Sequence, residues 1–185
     1  MAKPRARIRR SRVGDLGWAF QRQAVIYHGE FGYLPIFETY LAQGLAPFLE
    51  GFDAKLDAAW VAQAGNVPLG FVAIQHDPGR PGWAKLRWFF VEEAGRGQGL
   101  GRRLLATALS FSRSVGHRGV YLWTVDDLDA ARRQYERAGF ALAHEARAPC
   151  RWAPWGHEQR WEIEFPRRGR TRRKTALSAS RHRAP

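Results

Sequence analysis

The sequence has little of what builds disulfide frameworks, membrane spans or metal centres. Only one of its 185 residues is cysteine, so no disulfide can form within the chain, and a reducing compartment is expected. No apolar run approaches the ~18 residues of a membrane-spanning helix, and the N-terminus lacks the apolar core of a secretion signal. The histidines show no metal-ligand spacing. We therefore expect a cytoplasmic protein with no metal and no membrane partner.

Acidic residues are absent from both ends of the chain. Residues 1–12 and 166–185 hold 14 of the 30 basic residues and none of the 17 acidic ones. The residues between them thus carry 16 basic and 17 acidic side chains, so the formal net charge of +13 belongs to the termini. Such termini suit contact with a polyanion such as nucleic acid, or they are solvated tails. We favour tails, since the C-terminal run lacks aromatic residues for base stacking.

One stretch, residues 91–105 (VEEAGRGQGLGRRLL), has the features of a ligand-binding turn. A strand-like apolar pattern ends before it, glycine recurs at every second position from 95 to 101, and apolar residues then follow at helical spacing. Glycine permits positive φ and close approach of a ligand, and the first amides of a helix are unpaired at its positive end. The stretch therefore predicts a phosphate-binding turn, with a glycine-rich surface turn as the alternative.

The spacing of the glycines excludes two common phosphate motifs. G-x-G-x-x-G would need glycine at Leu100 or Arg102, and the P-loop needs a Gly-Lys pair that the chain lacks. The match is Arg96-x-x-Gly99-x-Gly101, which resembles the [QR]-x-x-G-x-[GA] pyrophosphate loop of the GNAT (Gcn5-related) N-acetyltransferases. The resemblance implies that this turn holds the pyrophosphate of acetyl-CoA. The cofactor-binding residues that it implies are Phe89, Phe90, Val91, Arg96, Gly97, Gln98, Gly99, Leu100, Gly101 and Arg102.

A second motif, Tyr135-x-x-x-Gly139-Phe140, resembles the Y-x-x-x-G-F that closes the cofactor site in the same family. The resemblance covers residues 7–165 and is closest to the acetyltransferase halves of fusion proteins with a MarR-type DNA-binding domain. The stretches that carry it are GDLGWAFQRQAVIY, EFGY, AKLRWFFVE, YLWTVDDLDAARRQYERAGF and QRWEIEF. The chain departs from the family at Leu128, where many members carry an asparagine that contacts the cofactor arm. The pantetheine contacts there would be backbone or water-mediated, or weaker.

Local patterns predict the element order β, α, α, β, β, β, α, β, α, β, β. The predicted helices cover about 15–27, 35–50, 99–115 and 126–137, each with an apolar stripe. This order predicts an α/β (α+β) fold of the GNAT type, with a mixed, mostly antiparallel central sheet of six to seven strands and helices on both faces. We divide the chain into a basic N-terminal segment with the first strand (1–12), an acetyltransferase domain (13–165) and a disordered basic tail (166–185).

The implied reaction is direct transfer of the acetyl group of acetyl-CoA to a primary amine. An alkyl ammonium has a pKa near ~10.4 and must lose a proton before it attacks. By the resemblance, Tyr135 would be the acid for the departing thiolate, and the backbone N–H near Phe90 or Val91 would bind the oxyanion. Glu30, in the break between the first two helices, is the predicted base.

Each of these roles has alternatives. Tyr135 also fits a core position, and Glu30 also fits a solvated loop. The other candidate bases are Glu38, Asp126 and His157, whereas Lys85 and Arg87 stand where many relatives place a carboxylate. The loop residues that could wall an acceptor pocket or pair with an acidic acceptor are Trp152, Trp155 and Arg151.

The function itself also has alternatives. One is a non-catalytic acyl-CoA-binding or regulatory module with polyanion-binding tails, and another is a DNA-linked regulator whose binding would depend steeply on salt. The acceptor is not defined by the sequence, and a homodimer stays open.

Overall fold

The structure is a computed structural model, and it describes residues 6–166. Seven strands form one sheet in the order β1-β2-β3-β4-β5-β7-β6. The strands are β1 (Arg7–Arg10), β2 (Ala58–Ala64), β3 (Val67–His76), β4 (Trp83–Val91), β5 (Gly119–Val125), β6 (Ala141–Pro149) and β7 (His157–Glu164). The helices are α1 (Asp15–Phe31), α2 (Phe37–Glu50), α3 (Leu100–Ser114) and α4 (Asp129–Ala138), with a 3₁₀ turn at Glu93–Gly95.

Every strand pair is antiparallel except β4 with β5. The predicted mixed, mostly antiparallel sheet is therefore confirmed. Within residues 6–166, none of the helices combines the length and the apolarity that crossing a membrane requires. The predicted disordered tail falls, apart from Pro166, outside the described residues, as do the first five residues of the basic N-terminal segment.

The helices cover both faces of the sheet, as predicted. Helix α3 buries a stripe that includes Leu104, Leu105 and Ala108 against one face. Helices α1 and α2 cover the other face, where Ile26 and Leu41 belong to a second, aromatic-rich core. Burial of these stripes is the main source of stability for such amphipathic helices.

Two helix boundaries differ from the sequence prediction. Helix α1 continues past Gly29 to Phe31 and ends at Gly32, whose φ of 69° lets its N–H bond the carbonyl of His28. Helix α4 begins at Asp129, after the two aspartates that were predicted to start it. Those aspartates bind elsewhere: Asp126 accepts from the His157 N–H at 2.9 Å, and Asp127 accepts from the Tyr33 hydroxyl at 3.1 Å.

Candidate active site

Strand β4 separates from β5 partway along its length. The two strands pair only at Trp83, Ala84 and Lys85, so in the described part of the chain the β5 side of β4 has no strand partner from residue 86 onward. A bulge lies beyond that point, because Trp88 has a φ of 50° and the register against β3 shifts. Buried backbone N–H and C=O groups need partners. This gap in the sheet can therefore bind a ligand that carries amides of its own.

Three adjoining cavities follow the gap. The outer groove, of about 710 Å³, lies between α4 and the turn formed by residues 95–101, which we call the glycine turn. The residues that line it include Arg96, Gly99, Gly101 and Gln134. The middle chamber, of about 180 Å³, is lined by residues that include Glu30, Phe89, Val91 and Leu128. The inner chamber, of about 70 Å³, is lined by residues that include Tyr27, Lys85, Arg87, Tyr135 and Glu158.

Shared lining residues place these cavities side by side in a row, which we call the passage. The outer groove and the middle chamber share Val91, Arg96, Ala130 and Gln134. The middle and inner chambers share Tyr27, Phe89 and Leu128. The middle chamber therefore lies between the outer groove at the glycine turn and the inner chamber.

The glycine turn has the geometry of an anion site. Gly97 and Gly99 have φ values of 73° and 70°, a backbone conformation that side chains disfavour. Helix α3 begins directly after Gly99, with no side-chain cap and no acid in its first turn, so its first amides face the outer groove. The guanidinium-bearing residues Arg96, Arg102, Arg133 and Arg137 also line this groove. The turn and its surroundings are suited to a pyrophosphate.

Gly101 at the start of α3 lies against the side chain of Gln134 on α4. A Cβ built on Gly101 would lie 2.5 Å from Oε1 of Gln134. That buried oxygen has no hydrogen-bond partner in the described structure, which leaves an acceptor for a ligand N–H or hydroxyl on the groove wall.

The structure brings most of the predicted cofactor-binding residues to the passage. Phe89, Phe90 and Val91 line the middle chamber. Arg96, Gly97, Gly99, Leu100, Gly101 and Arg102 line the outer groove. Gln98 instead donates from its side chain to the carbonyl of Ala94 at 2.8 Å. Their roles in binding stay predictions.

Tyr135 lies at the buried end of the passage. Its side chain is 5% exposed and lines the inner chamber, with its ring centroid 6.0 Å from that of Phe89. Burial, with a smaller contribution from Tyr27, raises the pKa of the Tyr135 phenol. The hydroxyl is therefore protonated at neutral pH, so that it can donate a hydrogen bond or a proton and can also accept a hydrogen bond.

Glu30 lies in the middle chamber, away from Tyr135. Its Oε1 accepts from Nη2 of Arg96 at 2.8 Å, in a pair exposed by about 40%. The carboxylate therefore ties helix α1 to the glycine turn, and it does not line the inner chamber. Its predicted role as the base stays a prediction.

The inner chamber contains a carboxylate that we did not predict from the sequence. Glu158, near the start of β7, lines it together with Lys85 and Arg87. Burial raises the pKa of Glu158 despite the opposing charge of Lys85. The sequence gives little indication that Glu158 belongs to the site. Glu158 reaches the chamber through the pairing of β7 with β5, in which it lies opposite Val125, and this register cannot be read from a single sequence.

The loop before β7 supplies one wall of the inner chamber. Trp152 lines it, with its ring centroid 4.4 Å from that of Tyr40 and the two rings tilted by 35°. Trp155 lies outside it, is 53% exposed and donates to Asp127, and Arg151 is exposed.

The remaining candidate bases also lie outside the inner chamber. Asp126 and His157 pair with each other at 3.3 Å, and Glu38 is exposed on α2. Leu128, where many relatives carry asparagine, is buried between the middle and inner chambers and offers no side-chain hydrogen bond.

Comparison with known proteins shows to which family the chain belongs. The family model described as the acetyltransferase (GNAT) family matches residues 25–140. The chain belongs to this family. It is 36% identical to a mycothiol acetyltransferase of Mycobacteroides abscessus over 75 residues, which are 40% of this chain and 25% of that protein. It is 44% identical to an acetyltransferase of Agrobacterium fabrum over 59 residues, 32% of this chain and 42% of that protein. The matches thus span less than half the length of either relative.

The fold of this GNAT protein is that of solved family structures. The structure of yncA from Salmonella typhimurium, with its cofactor acetyl-CoA, superposes with a TM-score of 0.65 and 17% identity. The superposition covers 98% of each chain.

Proposed function

We propose that this protein is an N-acetyltransferase that transfers the acetyl group of acetyl-CoA directly to a primary amine of an acceptor in the inner chamber. One observation carries the proposal: a row of three adjoining cavities leads from the glycine turn, past the open edge of β4, to Tyr135. Family membership and the acetyl-CoA of the Salmonella relative support it.

The residues along the passage fit acetyl-CoA part by part. The turn amides and the arginines of the outer groove would hold the pyrophosphate. The open edge of β4 and Oε1 of Gln134 offer partners to the polar groups of the pantetheine arm. The apolar walls of the middle chamber suit its methylene groups. Leu128 offers no polar contact on the opposite side.

The residues of the inner chamber can handle the protons of acetyl transfer. When bound, acetyl-CoA supplies an acetyl group on a thioester. The acceptor enters as an ammonium and loses one proton to a base before the N–C bond forms. After the N–C bond forms, the nitrogen is positively charged and loses a second proton, which restores the Tyr135 hydroxyl after it has donated its own proton to the sulfur as the C–S bond breaks. The backbone N–H near Phe90 or Val91 would stabilise negative charge on the carbonyl oxygen.

Two carboxylates compete for the role of base. Glu158 shares the inner chamber with Tyr135, and its raised pKa makes it a stronger base than an exposed carboxylate. Glu30, the base predicted from the sequence, is bound to Arg96 in the middle chamber. We favour Glu158, because a base must reach the amine that it deprotonates.

Three further points belong to this proposal. The catalytic domain would comprise residues 13–165. The sequence stretches given above support a relationship to the acetyltransferase halves of MarR-type fusion proteins. The reducing environment expected for a chain with a single cysteine supports a cytoplasmic location.

The proposal is tested by following the release of the free thiol of CoA with a panel of amines. Tyr135→Phe should lower kcat by about 100-fold or more while acetyl-CoA affinity is kept. Tyr121→Phe is the matched control, because that hydroxyl donates to Asp77 and the residue does not line the inner chamber. If Glu158 is the base, kcat should be lost in Glu158→Gln and kept in Glu30→Gln. The reverse result would show that Glu30 is the base. Acetyl-CoA binding without turnover of any amine would favour a binding module.

A further inference from the structure

Two cationic side chains lie next to each other in the inner chamber. Lys85 and Arg87 point to the same face of β4, and both are half-buried. All 17 acidic residues of the chain lie within the described residues 6–166, yet none has a carboxylate oxygen within 4.0 Å of either cation. The two positive charges therefore share a semi-enclosed space without an ion-pair partner.

Three elements of the fold hold Arg87 in place. Its Nη1 donates to Oε1 of Gln75 on β3 at 2.9 Å, and its guanidinium lies 4.7 Å from the ring of Trp88. On the third side, a Cβ built on Gly44 in α2 would lie 1.7 Å from Nη2. Gly44 is buried in the helix interior, where glycine weakens a helix. The missing side chain leaves the space that the guanidinium occupies.

The electrostatics of the pair are unfavourable without a counter-ion. Burial and the charge of Arg87 lower the pKa of Lys85 to about 8, and burial lowers the pKa of Arg87. Glu158 attracts Lys85 but does not pair with it. An anion between the two cations would remove the repulsion and form charge-assisted hydrogen bonds.

We propose that Lys85 and Arg87 form a subsite for an anionic group, such as a carboxylate or phosphonate, on a small acceptor whose amine faces Tyr135. The inference rests on the proposed N-acetyltransferase function and names the class of its acceptor.

The size of the inner chamber supports a small acceptor. A volume of about 70 Å³ corresponds to roughly five to seven water-sized positions, at about 10–15 Å³ for each. This space suits an amino acid or an aminoalkylphosphonate. The aromatic residues Tyr27, Phe37, Tyr40 and Trp152 line it too, and they would contact the apolar part of such a molecule.

The test compares acceptors that differ only in the anionic group. The full chain is assayed for acetyl transfer to a panel of L-amino acids, to the corresponding amines that lack the carboxylate, and to the corresponding aminophosphonates. At least one acid should exceed its amine by about tenfold or more in kcat/KM, as expected for one charged hydrogen bond. Comparison of the amino acids with the aminophosphonates shows which of the two anionic groups the subsite binds. If every amine had the same kcat/KM as its acid, or if only a peptide lysine were acetylated, the inference would be wrong.

Variants of the subsite assign the preference to its residues. Lys85→Met and Arg87→Gln should each raise the ratio of KM for the acid to KM for the amine about tenfold. Lys55→Met and Arg147→Gln remove exposed cations of the same kinds and should change neither value. Arg87→Lys should restore part of the preference. An unchanged ratio of acid to amine in folded Lys85→Met and Arg87→Gln would contradict the role of the subsite.

Direct binding separates failure of this inference from failure of the proposed function. Calorimetry measures acetyl-CoA affinity, and tryptophan fluorescence measures acid and amine binding in the presence of CoA, since Trp88 and Trp152 line the inner chamber. No acetyl-CoA binding would refute the acetyltransferase. Acetyl-CoA binding without any preference for acids would refute the anionic subsite alone.

Discussion

Replacing Gly44 with alanine should change acceptor specificity without damaging the fold. The new Cβ would lie 1.7 Å from Nη2 and 2.8 Å from Cζ of Arg87, so the guanidinium must move. Alanine in the helix interior gains about 1 kcal/mol over glycine. Displacing Arg87 loses the hydrogen bond from its charged guanidinium to Gln75, about 1.5–3 kcal/mol, and the contact with Trp88, about 0.5–1 kcal/mol. The free energy of unfolding should therefore fall by about 1–3 kcal/mol, or about 2–12 °C in Tm.

The same substitution should weaken the binding of an acidic acceptor. A hydrogen bond to a charged group contributes about 1.5–3 kcal/mol, so KM for the acid should rise by at least about tenfold. KM for the matching amine should be unchanged. The assay is acetyl transfer to both acceptors, with Gly17→Ala as the control, because a Cβ on that helical glycine of α1 meets nothing within 4 Å. An unchanged KM for the acid in a stable Gly44→Ala protein would refute the reasoning.

Three other perturbations have defined outcomes. Gly99→Ala places a side chain at a φ of 70° and should cost about 1–2 kcal/mol, seen as a lower Tm and weaker acetyl-CoA binding by calorimetry. Lys85 has a pKa of about 8, so KM for an acidic acceptor should rise as the pH passes upward through about 8; Lys85→Met should lack this dependence. Burial lowers the pKa of His117, so the unfolded state binds its proton first and Tm should fall as the pH drops below about 6.5. His117→Leu should reduce that fall, and an equal fall in both proteins would contradict it.

The sequence predicted the parts of this molecule that depend on local spacing. The glycine turn, the helix after it and the position of Tyr135 at the end of α4 all follow from short-range patterns, and the structure brings the turn and Tyr135 to one passage. The order of elements also indicated a mixed sheet, because hairpin turns and helical stripes are local features.

The walls of the inner chamber could not be predicted in the same way. Glu158 reaches the chamber through the register of β7 on β5, and Arg87 is positioned by a glycine on a different element. Both relations join residues far apart in the chain. Glu30 was predicted to be the base from its place in a loop, and its ion pair with Arg96 is likewise a contact between distant residues.

The central claim is that the glycine turn holds the pyrophosphate of acetyl-CoA, and calorimetry tests it most directly. Micromolar binding is expected for the wild-type chain and none for the double variant Gly99→Glu with Gly101→Glu, in which two carboxylates occupy the anion site. Thr107→Glu with Ser110→Glu adds the same charge farther along α3 and should keep the affinity. Absence of binding by the folded wild-type chain, or equal affinity in the glycine double variant, would contradict the account.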